Sequence, residues 1–262
     1  MNSINSFKKT LVRYLPLYRQ LIKKDIKLKY RRSFLGYLWS VLNPLMIMGI
    51  MVIVFSNVFR FSIDNYPVYL IIGQSIFNFV NESTSKAMWS IHDNASLLKK
   101  TYVPKYIFSI STVSSSFVNM LFSLAAMAIV FLVCHVKFTL NMLFIPFILL
   151  QVFVFALGLG LFLAEATVFF RDIQYIYGAF LTAWMYATPI FYPLDMVSER
   201  IQWIIKTFNP LYAFIAQFRT IALEAHFPDP GLILHGLLVS VLMLAFGAWR
   251  FAKNQDRFIL YI

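Results

Sequence analysis

Apolar and polar positions fall in long blocks along this chain. Residues 22–32 interleave Lys23, Lys24, Lys27, Lys29, Arg31 and Arg32 with Ile22, Ile26, Leu28 and Tyr30. From Phe34 no charged residue occurs until Arg60. A basic amphipathic stretch running straight into an uncharged apolar one predicts an interfacial helix followed by a membrane-crossing helix. Five more apolar blocks follow, so the predicted spans are 35–59, 66–89, 105–133, 140–170, 174–190 and 231–250. Each approaches or exceeds the roughly 20 residues that cross hydrocarbon. Pro44, Pro104 and Pro146 fall inside or at the start of spans, where membrane helices tolerate proline.

Segment 191–230 breaks the pattern. It carries Pro193, Pro210, Pro228 and Pro230 around two apolar stretches, 197–208 and 211–225, each too short to span. Asn209-Pro210 reads as a helix N-cap followed by proline at the first helical position. The pattern predicts two short helices, either a re-entrant hairpin or an amphipathic pair lying in the interface.

Composition agrees with a membrane protein. The chain is 60% hydrophobic and only 13% charged, against about a quarter charged in soluble domains. Its formal net charge of +12 is distributed between spans, which points to anionic lipid headgroups and cytoplasmic protein rather than nucleic acid. Eighteen of the 23 Lys and Arg residues lie on one side of the six-span topology: ten in residues 1–32, then Lys86, Lys99, Lys100, Lys105, Arg171, Arg250, Lys253 and Arg257. The other side holds Arg60, Lys137, Arg200, Lys206 and Arg219. The positive-inside rule therefore predicts that both termini are cytoplasmic and that 191–230 is exterior. No cleavable signal peptide is expected, because the first span is too long for a signal core. A single cysteine, Cys134, excludes an intrachain disulfide.

Candidate chemistry is sparse. The nine glycines never form a phosphate-binding G-x-x-x-x-G-K-[ST] loop, and His92, His135, His226 and His235 lack metal-ligand spacing. No cofactor is expected in this chain, and any energy source lies elsewhere. Two acidic residues fall within spans, Glu82 and Glu165. Glu165 reads as one member of a packing pair. Glu82 belongs to a polar band, Asn78 and Asn81 to Ser85, which fits a hydrated lumen or an interhelical polar seam equally well. Tyr177, Phe180, Trp184 and Phe191 recur at helix-like spacing. They fit a carbohydrate-stacking track or ordinary membrane packing. In the 93–104 loop, Asn94 can cap a short helix holding Leu97, Leu98, Lys99 and Lys100, ended before Pro104. A short, basic, partly apolar helix between spans has the form of a docking element; a solvated turn on lipid phosphate is the plainer alternative.

In order along the chain, several fragments resemble the membrane subunit of polysaccharide-exporting ABC transporters of the type-2 class, the O-antigen, teichoic-acid and capsule permeases. They are Asp25-Ile26-Lys27-Leu28-Lys29-Tyr30, then Ser33-Phe34-Leu35-Gly36-Tyr37-Leu38-Trp39 with Pro44. Leu97-Leu98-Lys99-Lys100 with Val103-Pro104 and Phe170-Arg171-Asp172 follow. Pro189-Ile190 with Tyr192, and Asn209-Pro210 with Arg219, complete the set. Val103 stands where relatives often have Phe. The resemblance covers nearly the whole chain and implies an all-α integral membrane fold of six spans. To these it adds an N-terminal interfacial helix over 16–32, a coupling helix over 94–102 and an exterior re-entrant gate hairpin. It also implies a homodimer bound to two copies of a cytoplasmic ATPase, which binds the ATP and Mg. The substrate implied is a polysaccharide on a polyprenyl pyrophosphate. Arg31 and Arg32 suit that pyrophosphate, since guanidinium groups bind phosphate oxygens bidentately; anchoring to anionic headgroups is their alternative. The residues implied for ATPase coupling are Asn94, Leu97, Leu98, Lys99, Lys100 and Tyr102. Those implied for the outer gate are Asn209, Pro210 and Arg219. Export of a glycolipid or small molecule by the same architecture is the nearest alternative. A membrane enzyme of lipid-linked sugar synthesis is a distant one, as carboxylates are few.

Overall fold

The computed structural model describes the backbone of residues 2–29, 34–58 and 65–262, and side chains over 13–29, 34–54 and 65–262. Among the described residues all regular structure is helical. The helices are α1 (Asn2–Lys29), α2 (Trp39–Val58), α3 (Tyr66–Trp89), α4 (Ala95–Lys100), α5 (Tyr106–Val133), α6 (Ile145–Phe169), α7 (Ile173–Ala187), α8 (Glu199–Phe208), α9 (Pro210–Leu223) and α10 (Pro230–Asn254). Short 3-10 turns lead into α2 and α6 (Gly36–Leu38 and Leu140–Phe144), and another, Gln255–Leu260, follows α10.

Four of the six expected spans are helices long and apolar enough to cross a bilayer: Gly36–Val54, Tyr106–Val133, Leu140–Phe169 and Pro230–Leu260. The other two segments are helical but differ in kind. α3 has 24 residues and an ideal rise of about 36 Å, yet it carries Gln74, Asn78, Asn81, Glu82 and Lys86. It is the central helix, buried against α5, α6 and α9, so its surface meets protein. The predicted fifth span is shortened. α7 has 15 residues, about 22 Å, and ends at Ala187 because Pro189 forces Thr188 into an extended conformation (φ −98°, ψ 132°).

α1 is longer than the predicted 16–32 helix. It begins at Asn2 and contains Pro16. Its described half buries Leu21 and packs Leu17 and Tyr18 inward, while Arg19, Lys23 and Lys27 face out. The Tyr18 hydroxyl donates to Ser114 Oγ on α5 at 2.8 Å.

Two apolar cores result. The larger joins α3, α5, α6, α7 and α9; the smaller joins α1, α4, the start of α5, the end of α6, and the end of α10 with its following turn. α6 and α10 approach at glycines. A Cβ on Gly158 would lie 2.4 Å from the backbone of Met243 and Leu244, and one on Gly247 would lie 1.9 Å from the Gly158 carbonyl. Ser240 Oγ donates to the Gln151 carbonyl across the same seam at 2.9 Å. Where hydrocarbon supplies no hydrophobic drive, such close backbone contact and interhelical hydrogen bonds hold helices together.

Candidate functional site

At the end of the molecule built on the smaller core, α4 presents a basic tip. Asn94 occupies the N-cap position, but its side chain makes no cap bond; Nδ2 donates to the Ser90 carbonyl at 2.8 Å. The expected Asn94 cap is therefore replaced by a bond back to the preceding helix. Leu98 is buried and Leu97 packs on the smaller core, so both hold the loop. Lys99, Lys100 and Tyr102 form its free face, with Tyr102 97% exposed. The loop is braced from two sides. Tyr14 Oη of α1 donates to the Tyr102 carbonyl at 3.3 Å. Lys105 Nζ donates to the Gln255 carbonyl and lies 5.8 Å from the Phe258 ring centre.

On α3, one carboxylate oxygen accepts from two cations and one neutral amide. Glu82 Oε1 accepts from Lys86 at 2.6 Å, Lys29 at 2.8 Å and Asn119 at 3.3 Å. Lys29 is the last residue of α1, so this hub ties α1 to the helical body. It stands between two polar spaces. One, of about 1010 Å³, lies between α1, α3 and α5 beside Lys24, Asp25 and Trp89. The other, of about 590 Å³, lies between α2, α3 and α5. Burial pushes the Asp25 carboxyl above the ordinary carboxylate range, against the pull of Lys24 and Lys86. Arg31 and Arg32, the residues suited to pyrophosphate, lie outside the described residues.

Glu165 forms an interhelical pair. It is 1% exposed, and its Oε1 accepts from Arg250 Nη2 at 3.0 Å and from Asn254 Nδ2. Both partners sit at the end of α10, which pins α6 to that helix.

At the opposite end, a polar lattice holds the break between α7 and α8. Asn209 Oδ1 accepts from the Leu211 amide at 3.1 Å, the expected cap of α9, and from Trp184 Nε1 at 2.9 Å. Asn209 Nδ2 donates to Thr188 Oγ1 at 2.9 Å. Pro210 opens α9 at its first position. Arg219 is buried. Its guanidinium donates to the carbonyls of Pro189 at 2.7 Å, Tyr69 at 2.9 Å and Ile190 at 3.3 Å. Tyr69 Oη donates to the Tyr192 carbonyl at 2.8 Å, and Tyr66 Oη to the Phe191 carbonyl at 2.9 Å. Tyr66, Tyr69 and Thr188 carry no motif in the sequence; only the fold brings them to Arg219 and Asn209.

The aromatic set is divided. Tyr177, Trp184 and Phe191 are buried within the chain, and Phe180 is half exposed. Tyr177 Oη shares a 2.7 Å hydrogen bond with Thr84 Oγ1. Phe191 lies beyond the end of α7, so the helix-spaced stripe stops at Trp184. The aromatic groups that α7 turns outward are Tyr175, Phe180 and Tyr186.

Residues 16–223 match the ABC-2 type transporter family. The chain belongs to that family. This ABC-2 chain is thus a multi-pass membrane protein and a transport subunit. It is 30% identical over 253 residues to the O-antigen export system permease protein RfbA of Myxococcus xanthus, covering 95% of this chain and 97% of the relative. A protein of the same name from Klebsiella pneumoniae is 32% identical over 200 residues, 76% of this chain and 77% of the relative. The capsule polysaccharide export inner-membrane protein CtrC of Neisseria meningitidis is 22% identical over 192 residues, 70% of each.

Proposed function

We propose that this ABC-2 chain is the channel-forming permease of an exporter that moves a lipid-linked polysaccharide across the bacterial cytoplasmic membrane. ATP hydrolysis in a separate subunit drives it. The observation that carries the reading is the likeness to an O-antigen export permease along nearly the full length of both proteins.

The geometry supports a division of labour. Lys99, Lys100 and Tyr102 offer a braced, basic docking tip to a cytoplasmic ATPase. The gathering of α1, α4 and the carboxyl-terminal turn on one core supports cytoplasmic placement of both termini. Residues 1–262 act as one transmembrane domain, with 1–33 interfacial, 34–190 carrying five spans, 191–230 forming the exterior gate and 231–262 holding the last span and tail. α2 and α7 expose long faces, with Ile50, Ile53, Tyr175 and Ile176 among the exposed apolar side chains. Those faces suit a second copy of this chain, with the channel between them. The polyprenyl pyrophosphate meets Arg31 and Arg32 at the inner mouth.

The test is co-expression with an ATPase encoded beside it, followed by polymer-stimulated ATP hydrolysis and polymer export. Lys99→Glu with Lys100→Glu should release the ATPase, and Arg31→Gln with Arg32→Gln should stop export while the ATPase stays bound. A chain whose loss leaves surface polymer unchanged, or whose Lys99 is labelled from outside the cell, overturns the reading.

A further inference from the structure

The cavity between α2, α3 and α5 has a mixed lining, with polar groups set beside Ile47, Ile71, Phe79 and Met120. Neutral amides and hydroxyls line it, including Asn43, Gln74, Asn78, Asn119 and Ser123, with Trp39 at its edge. Polar groups buried in an apolar surrounding cost free energy unless something meets them. One of these groups is unmet by protein. Ser116 lines the cavity, is 1% exposed, and its Oγ has no hydrogen-bond partner among the described residues. Asn78 is the exposed residue in a run of α3 that is otherwise buried from Val68 to Val80, apart from half-buried Tyr69. It stands at the mouth.

We infer that this cavity, walled within one copy of the chain, binds a single neutral sugar unit; the inference rests on the polysaccharide reading above. Three features set the ligand class. The lining supplies both donors and acceptors without net charge, as a ring of hydroxyls requires. Both lysines of the charged margin are hydrogen-bonded to the one carboxylate of Glu82, so the neutral amides and hydroxyls are what the interior offers a ligand. Trp39 is partly exposed and offers an aromatic face for the C–H side of a pyranose beside the amides. A volume of about 590 Å³ is within the range of small-molecule sites. α2, which forms one wall of the cavity, is the least buried of the four apolar helices.

The experiment uses the full chain in lipid nanodiscs with Cys134→Ser and one new thiol, Ser116→Cys, and a water-soluble thiosulfonate reagent. The thiol should react, and glucose, galactose or N-acetylglucosamine at about twice its dissociation constant should slow the reaction about threefold. Glycine betaine at equal osmolarity should leave the rate unchanged. A thiol that never reacts means a dry void, and one that reacts equally with and without sugar means a cavity holding water alone; either result overturns the inference. Asn78→Cys at the mouth gives the same readout should the deeper thiol prevent folding. Polymer export by the unsubstituted chain is measured in parallel. Export with an unprotected thiol removes only the sugar site, whereas absence of any polymer export removes the functional reading itself.

Discussion

The guanidinium carbon of Arg219 lies 3.3 Å from the centre of the Tyr69 ring, close against the ring that α3 supplies. The same side chain reaches the Tyr69 carbonyl on α3 and the Pro189 and Ile190 carbonyls at the α7 break, so one residue of α9 joins α3 to the proline break. Gly73 makes room for it, since a Cβ there would lie 2.9 Å from Nη2. Lysine keeps the charge but has neither the planar fork nor the stacking surface. Arg219→Lys should therefore lower stability by about 1.5–3 kcal/mol, read as an earlier thermal transition of the purified chain. An unchanged transition would show that the carbonyls are met by water.

Asn209 performs two tasks that substitution can separate. Asn209→Ala removes the α9 cap and the acceptor of Trp184, and should cost about 1–2 kcal/mol. Asn209→Asp keeps the acceptor but loses the donor to Thr188, and should retain most of the stability. Trp184 fluorescence reports whether its indole bond survives in each. Equal losses in the two variants would contradict the assignment of the cap to Oδ1.

The pair of buried Glu165 and part-exposed Arg250 calls for a double-mutant cycle. Removing Arg250 leaves the Glu165 carboxylate buried without its cation, at a cost of about 3–5 kcal/mol. Arg250→Met alone should thus be severe, Glu165→Gln milder because the Arg250 side chain is 38% exposed, and Glu165→Leu combined with Arg250→Met should recover much of the loss. Strictly additive losses would mean that the two residues do not interact in the folded chain.

The α6–α10 seam depends on two absent side chains. Gly247→Ala and Gly158→Ala each place a methyl group against backbone, which a rotamer change cannot relieve. Each should cost about 1–3 kcal/mol or more and reduce the amount of folded protein recovered from membranes. Gly178→Ala is the control. A Cβ there meets nothing within 4 Å, and replacing a helical glycine by alanine favours the helix by about 1 kcal/mol.

Asp25 gives a pH-dependent outcome. Its carboxyl is raised in the folded chain by burial, so the docked α1 holds the proton more tightly than the undocked helix. The contribution of Asp25 to docking is greatest at low pH and is lost as pH rises through the raised folded value. Asp25→Asn removes that loss. Its thermal transition should match or exceed the native one at neutral pH, and the difference should close between about pH 7 and pH 4. A variant less stable than the native chain at neutral pH would instead make the carboxylate a favourable partner of Lys24 and Lys86.

The sequence by itself determined the class of molecule: apolar blocks of span length, a basic amphipathic entry, and lysines and arginines gathered mostly between the blocks. It also placed the Asn209-Pro210 start of α9 and a short helix over Leu97 to Lys100, but it ran the fifth span on through Pro189, where α7 has already ended at Ala187. These are local properties, set by hydropathy over about 20 residues and by the backbone limits of proline and of caps. Tertiary structure decided what each buried polar group meets. Glu82 reaches Lys29, 53 residues away, Glu165 reaches Arg250, 85 away, and Arg219 reaches Tyr69, 150 away. It also decided that α3 is a polar central helix and that most of the α7 aromatic stripe is internal packing. Spacing shows which side chains share a helix face, but which neighbour that face meets depends on how the helices assemble.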